Sequence, residues 1–216
     1  MRPLIITIMI LGVAAGTASA QADIPGRISL GFDAGGTHTS NDSPRWGASG
    51  AGYGYFAEAA YEPSRWLVLP IIQWGYAYTT GDVPEAETGG YPTPPTDIKG
   101  EANTFVFGGR VRVPLWRMKL RPYAGGGVAW TTYTHQVVAG PTVLLEGESS
   151  GSGWVGLAGL EFFPDPSRGF SFSLDYRYGS TTQDWKTIPA GGKGASDDEF
   201  NLKERVISVG VKIYTL

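Results

Sequence analysis

Residues 170–179 read FSFSLDYRYG. Phe170, Phe172, Leu174, Tyr176 and Tyr178 share one parity, and Ser171, Ser173, Asp175 and Arg177 share the other. Successive side chains of a strand point to opposite sides, so this segment predicts a strand with one apolar and one polar face. The pattern recurs. Ile28, Leu30, Phe32 and Ala34 alternate with Arg27, Ser29, Gly31 and Asp33, and Phe105, Phe107, Val111 and Val113 with Thr104, Val106, Gly108, Arg110 and Arg112. Segments 51–61, 66–78, 120–134, 154–163 and 206–216 complete a set of eight strands. Most reach the roughly 9–11 residues that a tilted strand needs to cross a bilayer.

The N-terminus has a different character. Arg2, the apolar run Leu4 to Val13 and the small-residue stretch Ala18-Ser19-Ala20 form a cleavable signal peptide over residues 1–20, leaving one domain over 21–216. That run is shorter than the roughly 18–20 residues of a membrane helix, and no later stretch is longer. The chain has no cysteine, which excludes disulfides and thiolate metal sites. Its 17 basic and 20 acidic residues include no basic block, so nucleic acid is not an expected partner. Thirty-two glycines, with 12% aromatic and only 17% charged residues, argue against helices.

The connectors also alternate. Residues 62–65, 115–119 and 164–169 form short turns, whereas 37–49, 80–101, 135–152 and 180–205 form long polar loops. Short turns on one side and long loops on the other define an outer-membrane barrel with its loops outside the cell. The expected fold is all-β, an eight-stranded antiparallel up-and-down transmembrane β-barrel, monomer-capable, with both termini periplasmic.

A soluble barrel would alternate in the same way with its faces reversed, and glycine decides between the two. The polar parity carries Gly31, Gly50, Gly52, Gly54, Gly75, Gly108, Gly125, Gly127, Gly159 and Gly210. Glycine weakens a strand unless something needs the space, and the narrow lumen of eight strands leaves little room for long side chains. The polar face is therefore inside. It brings Arg27, Arg110, Arg112, Arg121, Arg177 and Lys212 together with Asp33, Glu58, Glu62, Glu161 and Asp175, a near-neutral set that predicts an internal ion-pair network. The apolar face collects aromatics at its ends: Tyr61, Trp66, Phe162 and Phe170 near the short turns, with Trp116 in one of them, and Tyr76, Tyr78, Trp130, Trp154 and Tyr178 near the loops. Two such belts are expected at the two bilayer interfaces.

Four stretches carry a resemblance to a known family. Arg121-Pro122-Tyr123-Ala124-Gly125-Gly126-Gly127-Val128, Gly159-Leu160-Glu161-Phe162, Asp175-Tyr176-Arg177-Tyr178 and Gly210-Val211-Lys212-Ile213 resemble the last four strands of the outer-membrane protein β-barrel domain family. That family includes the transmembrane domain of outer-membrane protein A and its small relatives. The resemblance implies a Gram-negative outer-membrane location, insertion by the barrel-assembly machinery, and contact with outer-membrane lipids and lipopolysaccharide. It also implies a structural, adhesive or envelope-integrity role through an unidentified loop ligand. Two departures stand out: Thr215 occupies the lipid-facing position where the family usually closes on an aromatic, and Pro70 interrupts the third strand, which implies a bulge or a local break.

Chemistry is sparsely signalled. His38 to Asp42 contains the residue types of a hydrolytic triad, but five consecutive polar residues in a loop read as loop. His135 reads as a rim residue, and two distant histidines make no metal site. No catalytic residue, metal or cofactor is expected. Acidic loop residues (Asp82, Glu85, Glu87, Asp97, Glu146, Glu148, Asp184, Asp197, Asp198, Glu199) read as a solubilising fringe, with cation bridging to lipopolysaccharide phosphates the alternative, and Tyr91 to Pro95 as a stiff contact surface or spacer. The main alternative function is a small pore or lipophile conduit resembling outer-membrane protein W, with Leu67, Leu69 and Ile71 pointing inward to line an apolar pocket; a lipid-modifying enzyme is the third.

Overall fold

Alternating parity draws the chain into eight strands in a computed structural model, which describes residues 26–42, 49–82, 97–115, 119–165, 169–187 and 199–215. The predicted signal peptide, Trp116 and Tyr91 to Pro95 lie outside the described residues. The strands are β1 (Arg27–Asn41), β2 (Ser49–Glu62), β3 (Leu67–Gly81), β4 (Asp97–Arg112), β5 (Leu120–Ala139), β6 (Thr142–Phe162), β7 (Phe170–Thr187) and β8 (Phe200–Thr215). Each pairs antiparallel with the next, and β1 pairs with β8 to close the barrel. Closure leaves no unpaired edge, which hydrocarbon demands because a bare backbone amide there has no partner.

Two expectations need correcting. Residues 135–152 are not a long loop: β5 and β6 continue as a ladder to the Ala139–Thr142 pair, joined through Gly140 at φ +58°. Strands β1, β3, β4, β7 and β8 likewise run into the stretches read as loops. The second correction concerns β3. The bulge expected at Pro70 is present as a register shift between Val68 and Ile71, with a cis peptide at Leu69-Pro70. It inserts an outward residue and reverses the parity below it. Leu67 and Leu69 consequently face outward, while Val68 and Ile71 face inward and pack with Ala60.

The glycines make the predicted room in two ways. A Cβ on Gly210 would lie 1.8 Å from Asp33 Oδ1, and one on Gly75 would lie 2.5 Å from the Phe56 ring. Others press against backbone instead, as at Gly52, where a Cβ would meet the Tyr78 carbonyl at 1.9 Å.

Candidate functional site in the barrel lumen

The inward parity places every predicted lumenal charge in the interior, and all are buried. At the periplasmic end β2 contributes Glu62, whose carboxylate accepts from Arg27 Nε at 2.8 Å on β1 and from Arg112 Nη1 and Nη2 at 2.7 and 2.5 Å on β4. Arg112 also lies 3.7 Å from Glu161, which accepts from Ser171 at 2.9 Å and from the Tyr214 hydroxyl. The Arg121 guanidinium lies 4.1 Å from the Phe163 ring centroid, and that of Arg27 lies 4.0 Å from the ring of Tyr214.

One layer further in, Glu58 accepts from Arg110 at 3.0 Å and lies 3.6 Å from Lys212 Nζ. Tyr123 places its ring 4.9 Å from Arg110 and 5.0 Å from Lys212, and its hydroxyl donates to Asp175. Above this, Asp33 accepts from Arg177 and Ser173, both at 2.8 Å. The lumenal half nearest the periplasm is thus filled by three linked ionic layers. Sequence reading placed the charges, with Ser171 and Ser173, on the inward face but not their supporting Tyr123, Tyr214 and Phe163, although all three fall on the lumenal parity.

Above Arg177 the interior changes character. Its guanidinium lies 4.1 Å from the Phe56 ring centroid, and beyond it Val106, Ala129, Val155, Leu202 and Val206, with Gln73, Thr104, Thr131, Thr181 and Glu204, surround a cavity of about 30 Å³, room for little more than a water molecule. Higher still, Ala77, Ala102, Tyr133, Phe200 and Leu202 form a buried cluster, with Trp185 packed against it. His135 joins this cap with its ring edge-on to Trp185, and burial pushes its imidazole down to about 4. It is an interior residue, not the rim residue expected.

The predicted interface aromatics face outward. Tyr61 and Trp66 sit at the periplasmic end, Trp130 and Trp154 at the other, all largely exposed, and Phe170 and Tyr178 are half-buried among their neighbours. Asp82, Asp97, Glu146, Glu148, Asp184 and Glu199 are exposed above the outer belt; Glu85, Glu87, Asp197 and Asp198 lie outside the described residues. The triad residue types within 38–42 are not brought together as a triad. His38 Nε2 lies 3.0 Å from Ser49 Oγ rather than pairing with Ser40, and the Asp42 carboxylate accepts from the backbone and side chain of Asn201 at 2.5 and 3.2 Å. That backbone N–H, foremost, holds the Asp42 carboxyl below its ordinary range.

A closed barrel of eight strands with an ionic interior, a lipid-facing apolar wall and two aromatic belts defines an integral protein of the bacterial outer membrane. The chain belongs to the outer membrane protein beta-barrel domain family, whose model matches residues 7–213. Among solved structures it is similar to OprG of Pseudomonas aeruginosa, with 14% identity over 90% of this chain and 99% of that one and a TM-score of 0.51. It is also similar to Neisserial surface protein A (17% identity, 86% and 96% covered, TM-score 0.49) and to Ail, the attachment invasion locus protein of Yersinia pestis (14%, 88% and 100%, 0.43). Such identities speak to fold alone. No curated protein matches the sequence.

Proposed function

We propose that this protein is a non-conducting, non-enzymatic wall element of the outer membrane that acts in surface interaction and envelope integrity through its extracellular end. The observation carrying this reading is the filled lumen: Glu62, Glu58 and Asp33 each bind cations across it, and the Tyr133–Phe200–Trp185 cluster caps the outer side. An ion entering this path has to displace paired charges and then cross an apolar layer, both at a cost of several kcal/mol. Its partners are outer-leaflet lipids including lipopolysaccharide, the assembly machinery during insertion, and a ligand for the loops. Reconstitution of the purified protein in planar bilayers tests this reading. No stable unitary currents are expected, and large, long-lived ones overturn it.

The conduit alternative loses much of its basis, because Leu67 and Leu69 face lipid and the remaining chamber is small. Solute efflux from liposomes carrying the protein separates the two readings. For an enzyme, the one favourable observation is the His38–Ser49 contact. Phospholipid or lipopolysaccharide products that vanish in both His38→Ala and Ser49→Ala favour that reading; their absence from wild type excludes it.

A further inference from the structure

The six cations and five anions that parity sends to the lumen leave the interior one negative charge short. β8 supplies it. Glu204 falls in a stretch read as loop, yet it stands on the inward parity between buried Leu202 and Val206. It pairs with Gly179, two residues beyond Arg177 on β7, so its carboxylate belongs one inward step above the last ionic layer. The Thr104 hydroxyl donates to it, and the Thr131 hydroxyl, 3.1 Å from that of Thr104, donates to Thr104 in turn.

Arg177 reaches only part of the way to this carboxylate. Its Nη2 donates to Asp33 at 2.8 Å and its face lies on Phe56, whereas its buried Nη1 has no hydrogen-bond partner among the described residues. Arg177 and Glu204 are near enough for each to act on the other's charge, but no direct ion pair joins them. Both line the enclosed chamber of about 30 Å³, together with the polar Gln73 and Thr181. A guanidinium N–H left bare in the interior is costly, and so is a carboxylate with too few donors.

The two ends of the chamber decide what occupies it. A cation suits Glu204 but is repelled by the guanidinium, and an anion suits Nη1 but is repelled by the carboxylate. Water accepts from one and donates to the other, and the volume holds little more than one. We infer that the chamber is an internal hydration site, in which an enclosed water accepts from Arg177 Nη1 and donates to Glu204. Glu204 thereby becomes the sixth lumenal anion, and the uppermost ionic layer is tied to β8 directly beneath the Tyr133–Phe200 cap. The site stands on this geometry and not on the wall-element role.

The test uses the refolded mature protein in lipid nanodiscs, with its arginine side chains labelled for NMR. A long-lived water is expected to give a cross-peak between the Arg177 guanidinium protons and the water resonance. Ala129→Leu, whose side chain fills the chamber, removes that cross-peak, and Ala124→Leu on the lipid face keeps it. Glu204→Gln is expected to raise the unfolding constant in urea about tenfold in the wild-type background and to change it less than about twofold beside Arg177→Met. A heat-dependent gel shift reports that each variant has folded; where Ala129→Leu fails that check, the Glu204–Arg177 cycle decides. A folded wild type without the cross-peak, its persistence in Ala129→Leu, or an equal effect of Glu204→Gln in both backgrounds overturns the site. So does a crystal structure that shows Arg177 and Glu204 in direct contact, or anomalous scattering from rubidium or bromide inside the chamber.

Discussion

Between the belts, Leu174 and Val209 look outward while Asp175 and Ser208 are buried in the lumen; above the outer belt, Thr132, Thr134 and Gln136 look outward while Tyr133, His135 and Val137 are buried. The backbone is the same continuous ladder in both regions, so geometry does not distinguish them. The surroundings do. Hydrocarbon outside admits only apolar side chains and sends the charges to the axis, where they must find partners. Water outside lets polar side chains face out again, and the axis takes in an apolar cluster around Tyr133 and Phe200 together with neutral hydrogen-bonded pairs such as Thr39–Thr79 and Ser149–Gln183 in place of ion pairs. The same strands therefore carry two opposite patterns that meet near Arg177 and Phe56, and every extracellular device of the barrel rests on the second.

The largest effect expected from disturbing this arrangement is in the lower region. Glu62→Ala removes the carboxylate that binds both Arg27 and Arg112, leaving two buried cations short of their counter-charge. A loss of about 3–5 kcal/mol is expected in urea unfolding from bilayers. A loss below about 1 kcal/mol means that packing, not ion pairing, fills that half.

The contrast itself is tested by placing one charge on the outward parity at two heights. Leu174→Lys faces hydrocarbon and is expected to cost about 2–4 kcal/mol. Thr134→Lys, above the belt, should stay within about 0.5 kcal/mol. Similar costs at both positions place the water boundary elsewhere.

The upper core carries a pH signature. The His135 imidazole has a folded value of about 4 against an ordinary 6.5, so the opened cap takes up a proton before the closed one. Cap stability is expected to fall as pH drops from 6.5 to about 4, by up to about 3 kcal/mol, and then to level off. Hydrogen exchange of the upper β5 amides measures it, and His135→Phe removes the slope.

Much of this was legible in the sequence because a two-residue period needs no long-range information. The lumenal set from Arg27 to Lys212, the lipid face and both belts follow from parity once the glycines fix which face is inside. The upper barrel was hidden for the same reason that makes it interesting. Past Trp130 the outward residues turn polar, so the strand expected from sequence ends at Thr134, and His135 to Ser152 reads as loop to an eye expecting apolar residues outside. Leu67 and Leu69 were misplaced because Pro70 announces a bulge without saying which way the parity slips. The His38–Ser49 contact joins β1 to β2 across a loop, and local order gave no sign of it.

The smallest effect expected from a change in the interior lies where the two patterns meet. Phe56 is the first ring above the ionic layers, and it fits because Gly75 on β3 has no side chain: an added methyl would come within 2.5 Å of the ring. Gly75→Ala is expected to cost about 1–2 kcal/mol through overpacking. If that contact is the cause, Phe56→Leu should make the second substitution nearly neutral, a coupling of about 1 kcal/mol in a double-mutant cycle. Strictly additive losses mean that Gly75 serves the strand backbone rather than the ring. The transition from paired charges to apolar core then owes nothing to the fit of this one ring, and depends on the guanidinium of Arg177 lying against its face.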